Sequence, residues 1–118
     1  MTHPASDHPI TIEPHGGRVI VKFGGQTIVD TRLALRLHES TYTPVIYVPR
    51  EDARMDLLIP TDHATHCPYK GDANYFSIRT GGPDAENAVW SYEAPIPAVA
   101  AIKDHLAFYR DKVTVEDA

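Results

Sequence analysis

Cysteine is the scarcest reactive residue in this chain of 118 residues, because Cys67 is the only one. A single cysteine cannot form a disulfide within the chain, and it excludes every zinc site built from paired Cys-x-x-Cys ligands. Long apolar runs are also missing, since none approaches the roughly 20 residues needed to span a bilayer. We therefore expect a soluble protein that has no membrane partner.

Positive charge is sparse and scattered. The formal net charge is −5, and the 11 lysines and arginines do not form a basic stripe. Nucleic-acid binding requires clustered cations that face the phosphates, so nucleic acid is not expected as a partner. The first nine residues hold neither a basic stretch nor the apolar core of a secretory signal. A cytoplasmic location follows as an expectation.

What the sequence does contain is a series of short segments typical of strands, separated by glycine and proline. In residues 18–23 the two valines and Phe23 fall on one face of a half-buried strand, and Arg18, Ile20 and Lys22 fall on the other. Gly24 and Gly25 supply a turn, and residues 26–29 return as the second strand of a hairpin. Further strands are predicted at residues 33–37, which also fit a helix, and at 45–48, 75–79, 86–92 and 113–115, with one helical turn near 49–52.

One longer helix is predicted at residues 98–109, where Val99, Ile102, Leu106 and Tyr109 recur at helical spacing after two prolines. Together the elements predict a mainly β fold at the border of the α+β class: a small antiparallel folded sheet, sandwich or barrel with this C-terminal helix packed on it. The length fits one domain. Residues 1–17, interrupted by three prolines, are predicted to be a flexible arm, and residues 18–118 the domain.

Reactive side chains are concentrated in residues 62–75, which are predicted to form a shaped loop. A cysteine thiolate needs a nearby base or positive charge, and Lys70 and His66 are close to Cys67 in sequence. With Tyr75 they are the candidate catalytic residues: Cys67, Lys70, His66 and Tyr75. The structural alternative is that Pro68 and Gly71 build a tight turn in which Cys67 is simply a small packed residue.

A ligand pocket is predicted beside this loop, lined by Arg50, Tyr47, Trp90 and His63. An arginine can hold an anionic group, and the rings supply rigid apolar walls with polar tips. The alternative is that Trp90 belongs to the core and that Arg50 pairs with Glu39 or Asp52.

Two histidines close in sequence are candidate metal ligands. His63 and His66 would share one face of a helical turn and could bind a metal together with Asp62 or Asp72. No third ligand is fixed by spacing, so the sequence assigns no metal and no cofactor.

Four segments carry a resemblance to a known family. They are Arg18-Val19 with Phe23-Gly24-Gly25, Val48-Pro49-Arg50-Glu51-Asp52, residues 66–75 with the core Cys67-Pro68-Tyr69-Lys70-Gly71, and Glu86-Asn87-Ala88-Val89-Trp90-Ser91-Tyr92. With these segments the chain resembles, over residues 18–115, the bacterial family catalogued as domain of unknown function 427. The resemblance implies a compact, mostly β domain akin to tent-like folded sheets, several of which bind zinc through the cysteine pairs that this chain lacks.

The resemblance implies little about activity, because that family has no settled function. A nucleotidyltransferase label sometimes accompanies it, but the sequence has no Gly-Ser followed by paired aspartates and no glycine-rich phosphate loop. The leading hypothesis is a domain that binds a small polar or aromatic molecule, and acts on it by acid-base or cysteine chemistry if it is an enzyme, in a pocket built on residues 67–75. The alternative is a structural or interaction module that forms a homodimer.

Overall fold

The computed structural model describes residues 9–117. Within that range the chain forms ten strands: β1 (Ile10–Pro14), β2 (Val19–Phe23), β3 (Gln26–Thr31), β4 (Leu35–Glu39), β5 (Val45–Tyr47), β6 (Leu58–Cys67), β7 (Gly71–Ile78), β8 (Ala85–Ser91), β9 (Leu106–Phe108) and β10 (Thr114–Asp117). They pair in three antiparallel sheets of order β1-β4-β5, β10-β2-β3 and β6-β7-β8-β9. The predicted mainly β fold is confirmed, and the sheets of this range do not close into a barrel.

Strand β7 of the four-stranded sheet contributes buried side chains to core clusters on both faces of that sheet. Along β7, Phe76 and Ile78 join a first core cluster with side chains of the β10-β2-β3 sheet, such as Val19. Ala73 and Tyr75 alternate with them and join a second core cluster with side chains of the β1-β4-β5 sheet. Because successive side chains of a strand point to opposite faces, the central strand contributes to both clusters.

Two local features, a hairpin turn and a short 3-10 turn, agree with the sequence prediction. Gly24 and Gly25 connect β2 to β3 with φ values of 58° and 77°, a conformation in which a side chain would be unfavourable. Arg50–Asp52 forms a short 3-10 turn after Pro49, as the proline and the acidic residues predict. A second short 3-10 turn, Met55–Leu57, leads directly into β6.

The predicted helix at residues 98–109 is wrong. Pro97–Ile102 forms only a 3-10 segment, which Val99 interrupts with φ −121° and ψ 28°. Asp104 then takes a positive φ of 63°, and the chain continues as β9, which pairs with β8. The helical spacing of Val99, Ile102 and Leu106 reflects burial of all three side chains without a shared helix face. Val99 and Ile102 belong to the 3-10 segment and enter the second core cluster, whereas Leu106 belongs to β9 and enters the first.

The N-terminal and central segments also differ from expectation. Ile10–Pro14, which lies within the predicted arm, forms β1 and pairs with β4, whereas residues 1–8 lie outside the described range. Residues 62–75, predicted as a loop, belong almost entirely to β6 and β7. Pro60 is tolerated in β6 because this strand lies at the edge of its sheet.

Candidate functional site

Residues 67–71 form the tight turn of the β6–β7 hairpin, and we call them the hairpin turn. The N–H of Lys70 donates to the carbonyl of Cys67 at 3.2 Å, and Pro68 occupies the second position, where its fixed φ suits a turn. Cys67 and Gly71 are opposite each other in the ladder. The candidate residues of this segment therefore alternate between the two faces of a hairpin.

His66 lies on the outer face of the hairpin. Its Nδ1 is 2.7 Å from Oδ1 of Asp72, directly across the ladder, and both side chains are exposed. His63 lies on the opposite face, where its ring packs edge-on against Tyr75 at 4.5 Å between centroids. The two histidines therefore do not share a face. Among residues 9–117, no group of three or more histidine, cysteine or acidic side chains is placed to hold a metal.

Lys70 is buried, with only 9% of its surface exposed. Its ammonium donates to the carboxylate of Glu39 on β4, and that carboxylate is buried to a similar extent. Its carbonyl accepts from the N–H of Ile96 at 3.0 Å. The next residue, Gly71, has φ 115°, and a Cβ there would lie 3.3 Å from the carbonyl oxygen of Ala94. These contacts fasten the hairpin turn to β4 and to residues 94–96.

The inner face of the hairpin meets a group of tyrosines. The hydroxyls of Tyr75 and Thr65 lie 3.0 Å apart, and Cys67 packs against the second core cluster, which contains Tyr47, Tyr75 and Tyr92. Burial raises the pKa of Tyr47 to about 12 and raises that of Tyr92 as well. The structure therefore brings Cys67, Tyr75 and Tyr47 into one neighbourhood, and leaves His66 outside it.

Arg50 is used within the fold. Its guanidinium donates to the carbonyl of Asp104 at 2.7 Å, to Oγ of Ser91 at 2.9 Å and to the carboxylate of Glu93 at 2.7 Å. It also lies 5.4 Å from the centroid of the Phe76 ring, within cation–π range. The ion pair is with Glu93, and neither Glu39 nor Asp52 is the partner. Arg50 thus joins the 3-10 turn after β5 to the ends of β8 and the 97–102 segment.

An apolar pocket of about 190 Å³ opens where the three sheets meet. It is lined by Val19, Val21, Thr43, Pro44, Val45, Ile46, Val48, Trp90, Phe108, Tyr109, Arg110 and Val115. We call it the Trp90 pocket, because Trp90 is the one residue of the eight sequence candidates among its lining side chains. The isolated pairing of the lining residue Val48 with Leu106 holds the end of β5 beside β9.

Trp90 and Tyr109 form the aromatic wall of this pocket. Their ring centroids are 4.7 Å apart, and Nε1 of Trp90 donates to the hydroxyl of Tyr47 at 3.4 Å. The hydroxyl of Tyr109 lies 3.4 Å from that of Tyr75, and this hydrogen bond, together with burial, raises the pKa of Tyr109 to about 12. The wall therefore connects the Trp90 pocket to the tyrosine group behind it.

A family model supplies the comparison with known proteins. The model described as Domain of unknown function (DUF427) matches residues 11–118, nearly the whole chain. The chain belongs to the DUF427 family. A search of curated proteins found no match. The DUF427 match includes the hairpin turn and every residue that lines the Trp90 pocket.

Sequence reasoning missed most of the pocket in this DUF427 domain. Val19, Val45 and Val115 resemble ordinary strand residues, and the sheets bring them together from distant parts of the chain. Tyr109 fits the predicted helix face and therefore does not stand out as a pocket residue. The signal in the sequence is Arg110, a cation directly after an apolar and aromatic stretch.

A pH dependence follows from the buried phenol of Tyr47. Its folded pKa of about 12 lies above the ordinary value of 10, so its contribution to stability is complete below pH 10 and is lost as pH rises toward 12. The free energy of unfolding should therefore fall by roughly 1 kcal/mol more between about pH 9 and pH 11 in the wild type than in Tyr47→Phe. Urea unfolding at both pH values measures this difference, and equal losses in the two proteins would contradict it.

Proposed function

We propose that this DUF427 domain binds a small molecule with a single aromatic ring in the Trp90 pocket. The observation that carries the proposal is a pocket lined by apolar side chains and walled by Trp90 and Tyr109. Small-molecule sites are concave and mostly apolar, with few polar groups. Stacked or edge-on contacts between rings add to what apolar burial provides.

The volume of the pocket limits the size of the ligand. An engineered protein cavity of about 150 Å³ holds benzene. At about 190 Å³, the Trp90 pocket has room for one ring and a few substituent atoms. The occupant we propose is therefore smaller than a nucleotide, so nucleotidyl transfer is not part of the proposal.

The proposed ligand site differs in place from the hypothesis based on the sequence. That hypothesis centred the pocket on residues 67–75, whereas the Trp90 pocket is lined by residues of β2, β5, β8, β9 and β10 and of the segments that adjoin β5 and β9. Chemistry by Cys67, Lys70, His66 or Tyr75 stays a prediction. Its most direct support is the neighbourhood of Cys67, Tyr75 and Tyr47 in the second core cluster.

Intrinsic fluorescence tests the proposal, because Trp90 is the only tryptophan and it lines the pocket. Titration with a panel of compounds that each carry one ring should change its emission saturably, and the same compounds should raise the thermal midpoint. A panel in which no compound does either would refute the proposal.

A blocking variant connects the signal to the pocket. Thr43 is exposed and lines the pocket, so Thr43→Phe should place a ring in the opening while changing the free energy of unfolding by only about 0.5 kcal/mol. The matched control is Thr27→Phe, at an exposed threonine of β3 outside the pocket. Binding should be lost in the first variant and kept in the second. Binding that persists unchanged in Thr43→Phe would place the ligand elsewhere.

The interaction-module alternative has one observation in its favour. Tyr42 and Tyr109 are 65% and 39% exposed, and Tyr42 immediately precedes the pocket residue Thr43. A second copy that covers these rings would give a dimer, which sedimentation velocity detects across a concentration series. A dimer that Tyr109→Ser dissociates, together with the absence of ligand binding, would favour this alternative over the pocket.

A further inference from the structure

We infer that the ligand of the Trp90 pocket carries a carboxylate and that Arg110 is the residue that binds it. This inference rests on the proposed function, because it names the chemical class of the same ligand. Arg110 lines the pocket, and its side chain is exposed. It is the one charged residue among the lining side chains.

Position and partners together single out Arg110. Five of the seven arginines hold a side-chain partner: Arg18 with Asp30, Arg36 with His15, Arg50 with Glu93, Arg54 with Asp56 and Arg79 with Asp84. Of the other two, Arg32 and Arg110, only Arg110 lines the pocket. Within the described residues 9–117, Arg110 forms neither a hydrogen bond nor an ion pair through its guanidinium. Its five donors are thus available to a ligand, and a guanidinium matches a carboxylate in bidentate geometry.

Lys112, the cation nearest to Arg110 in sequence, already has partners within the protein. Nζ of Lys112 donates to the carbonyl of Glu86 at 2.8 Å and lies 5.8 Å from the ring centroid of Tyr109. The hydrogen bond to Tyr75 and burial raise the pKa of Tyr109 most, and the charge of Asp111, which follows Arg110 in sequence, makes the smallest contribution. Arg110 therefore remains as the donor for an anion bound at the pocket.

The apolar lining and the exposed cation would recognise different parts of the ligand, the ring and the carboxylate. A ring that enters the pocket loses water from apolar surface, which is favourable. A carboxylate on that ring can remain at the opening beside Arg110, where it keeps part of its hydration and avoids the large cost of burying a charge. A ligand with one ring and one carboxylate satisfies both parts of the site.

The test compares benzoate with benzamide, which has the same ring and nearly the same shape but no charge. Both are titrated into the wild type, Arg110→Gln and Arg32→Gln, with Trp90 emission as the signal. Arg32 is exposed and lies outside the Trp90 pocket, so its variant removes the same charge elsewhere. Benzoate should bind the wild type roughly tenfold more tightly than benzamide. Arg110→Gln should remove that difference, and Arg32→Gln should keep it.

Other outcomes distinguish failure of the carboxylate inference from failure of ring binding in the Trp90 pocket. If benzamide and benzoate bind the wild type equally, or if Arg110→Gln keeps the preference for benzoate, the carboxylate inference is overturned while ring binding stands. If neither compound binds at concentrations up to about 10 mM while another compound of the single-ring panel does, the carboxylate inference is overturned; if no compound of the panel binds either, the proposed function falls with it. Added salt should weaken the binding of benzoate and leave that of benzamide unchanged, because screening acts on exposed charge pairs. Equal salt effects on the two compounds would also count against Arg110.

Discussion

Replacing Lys70 with methionine should lower the free energy of unfolding by about 3 to 5 kcal/mol, because Glu39 would lose its ammonium partner inside the protein. The two side chains are only 11% and 15% exposed, so water replaces the lost interaction poorly. Breaking a buried pair by removing one partner is costly, because the remaining charge loses the attraction that offset much of its desolvation. Urea unfolding followed by far-UV circular dichroism measures the loss.

Two further variants isolate the pair. Lys70→Met combined with Glu39→Leu should recover most of the stability, since an apolar pair of similar volume avoids the buried charge. Lys22→Met removes an exposed partner of Glu116, at 3.4 Å, and should cost no more than about 1 kcal/mol. If Lys70→Met is as stable as Lys22→Met, the ion pair with Glu39 does not stabilise the hairpin turn. That result would favour a functional role for Lys70.

Replacing Gly71 with alanine should cost about 2 to 3 kcal/mol, from backbone strain and from contact with a neighbouring segment. Its φ of 115° is rarely adopted by residues with a side chain, and the added Cβ would lie 3.3 Å from the carbonyl oxygen of Ala94. That neighbour belongs to the backbone and cannot rotate away. The 94–96 segment would have to move.

Gly81 provides the matched control for this variant. Its φ is 102°, close to that of Gly71, but a Cβ there would have nothing within 4 Å. Gly81→Ala should therefore carry the cost of strain alone, and thermal or urea unfolding of both variants gives the difference. Equal losses would show that the packing of the hairpin turn against residues 94–96 contributes nothing measurable.

These variants bear on the two interpretations of the segment around Cys67. The sequence shows a concentration of reactive groups, and it equally shows Pro68 and Gly71 at positions that build a turn. The observed contacts of Lys70 with Glu39 and Ile96 favour the structural interpretation for that lysine. Cys67 is a free cysteine of intermediate burial, so its reactivity is a separate question that labelling of the native protein answers.

The strands were predictable where one period dominated the pattern. The alternation before Gly24 and the β-branched run after Pro44 both predicted strands that the structure contains. The strand predicted at residues 75–79 is likewise present as the second half of β7, whereas the polar and reactive residues before it were predicted as a loop and belong to β6 and to the start of β7. Burial on both faces defeated the helix prediction, because apolar residues near Leu106 enter two clusters from a strand.

The candidate site was less predictable because it depends on sheet topology. Trp90 could be singled out as the only tryptophan, but its pocket is completed by Val19 from β2 and Val115 from β10, which become neighbours only when β10 pairs with β2. A cluster of reactive side chains in one short segment of the sequence identifies groups that could do chemistry. It does not show where the packing of the sheets leaves a pocket.

The most direct measurement is the map of amide and indole chemical shifts in a ¹⁵N-labelled protein titrated with benzoate and, separately, with benzamide. We expect saturable shifts for at least one of the two compounds, largest at the indole N–H of Trp90 and at the amides of Val19, Val45 and Arg110. Shifts confined to the hairpin turn, or no saturable shift with either compound, would contradict a ligand site in the Trp90 pocket.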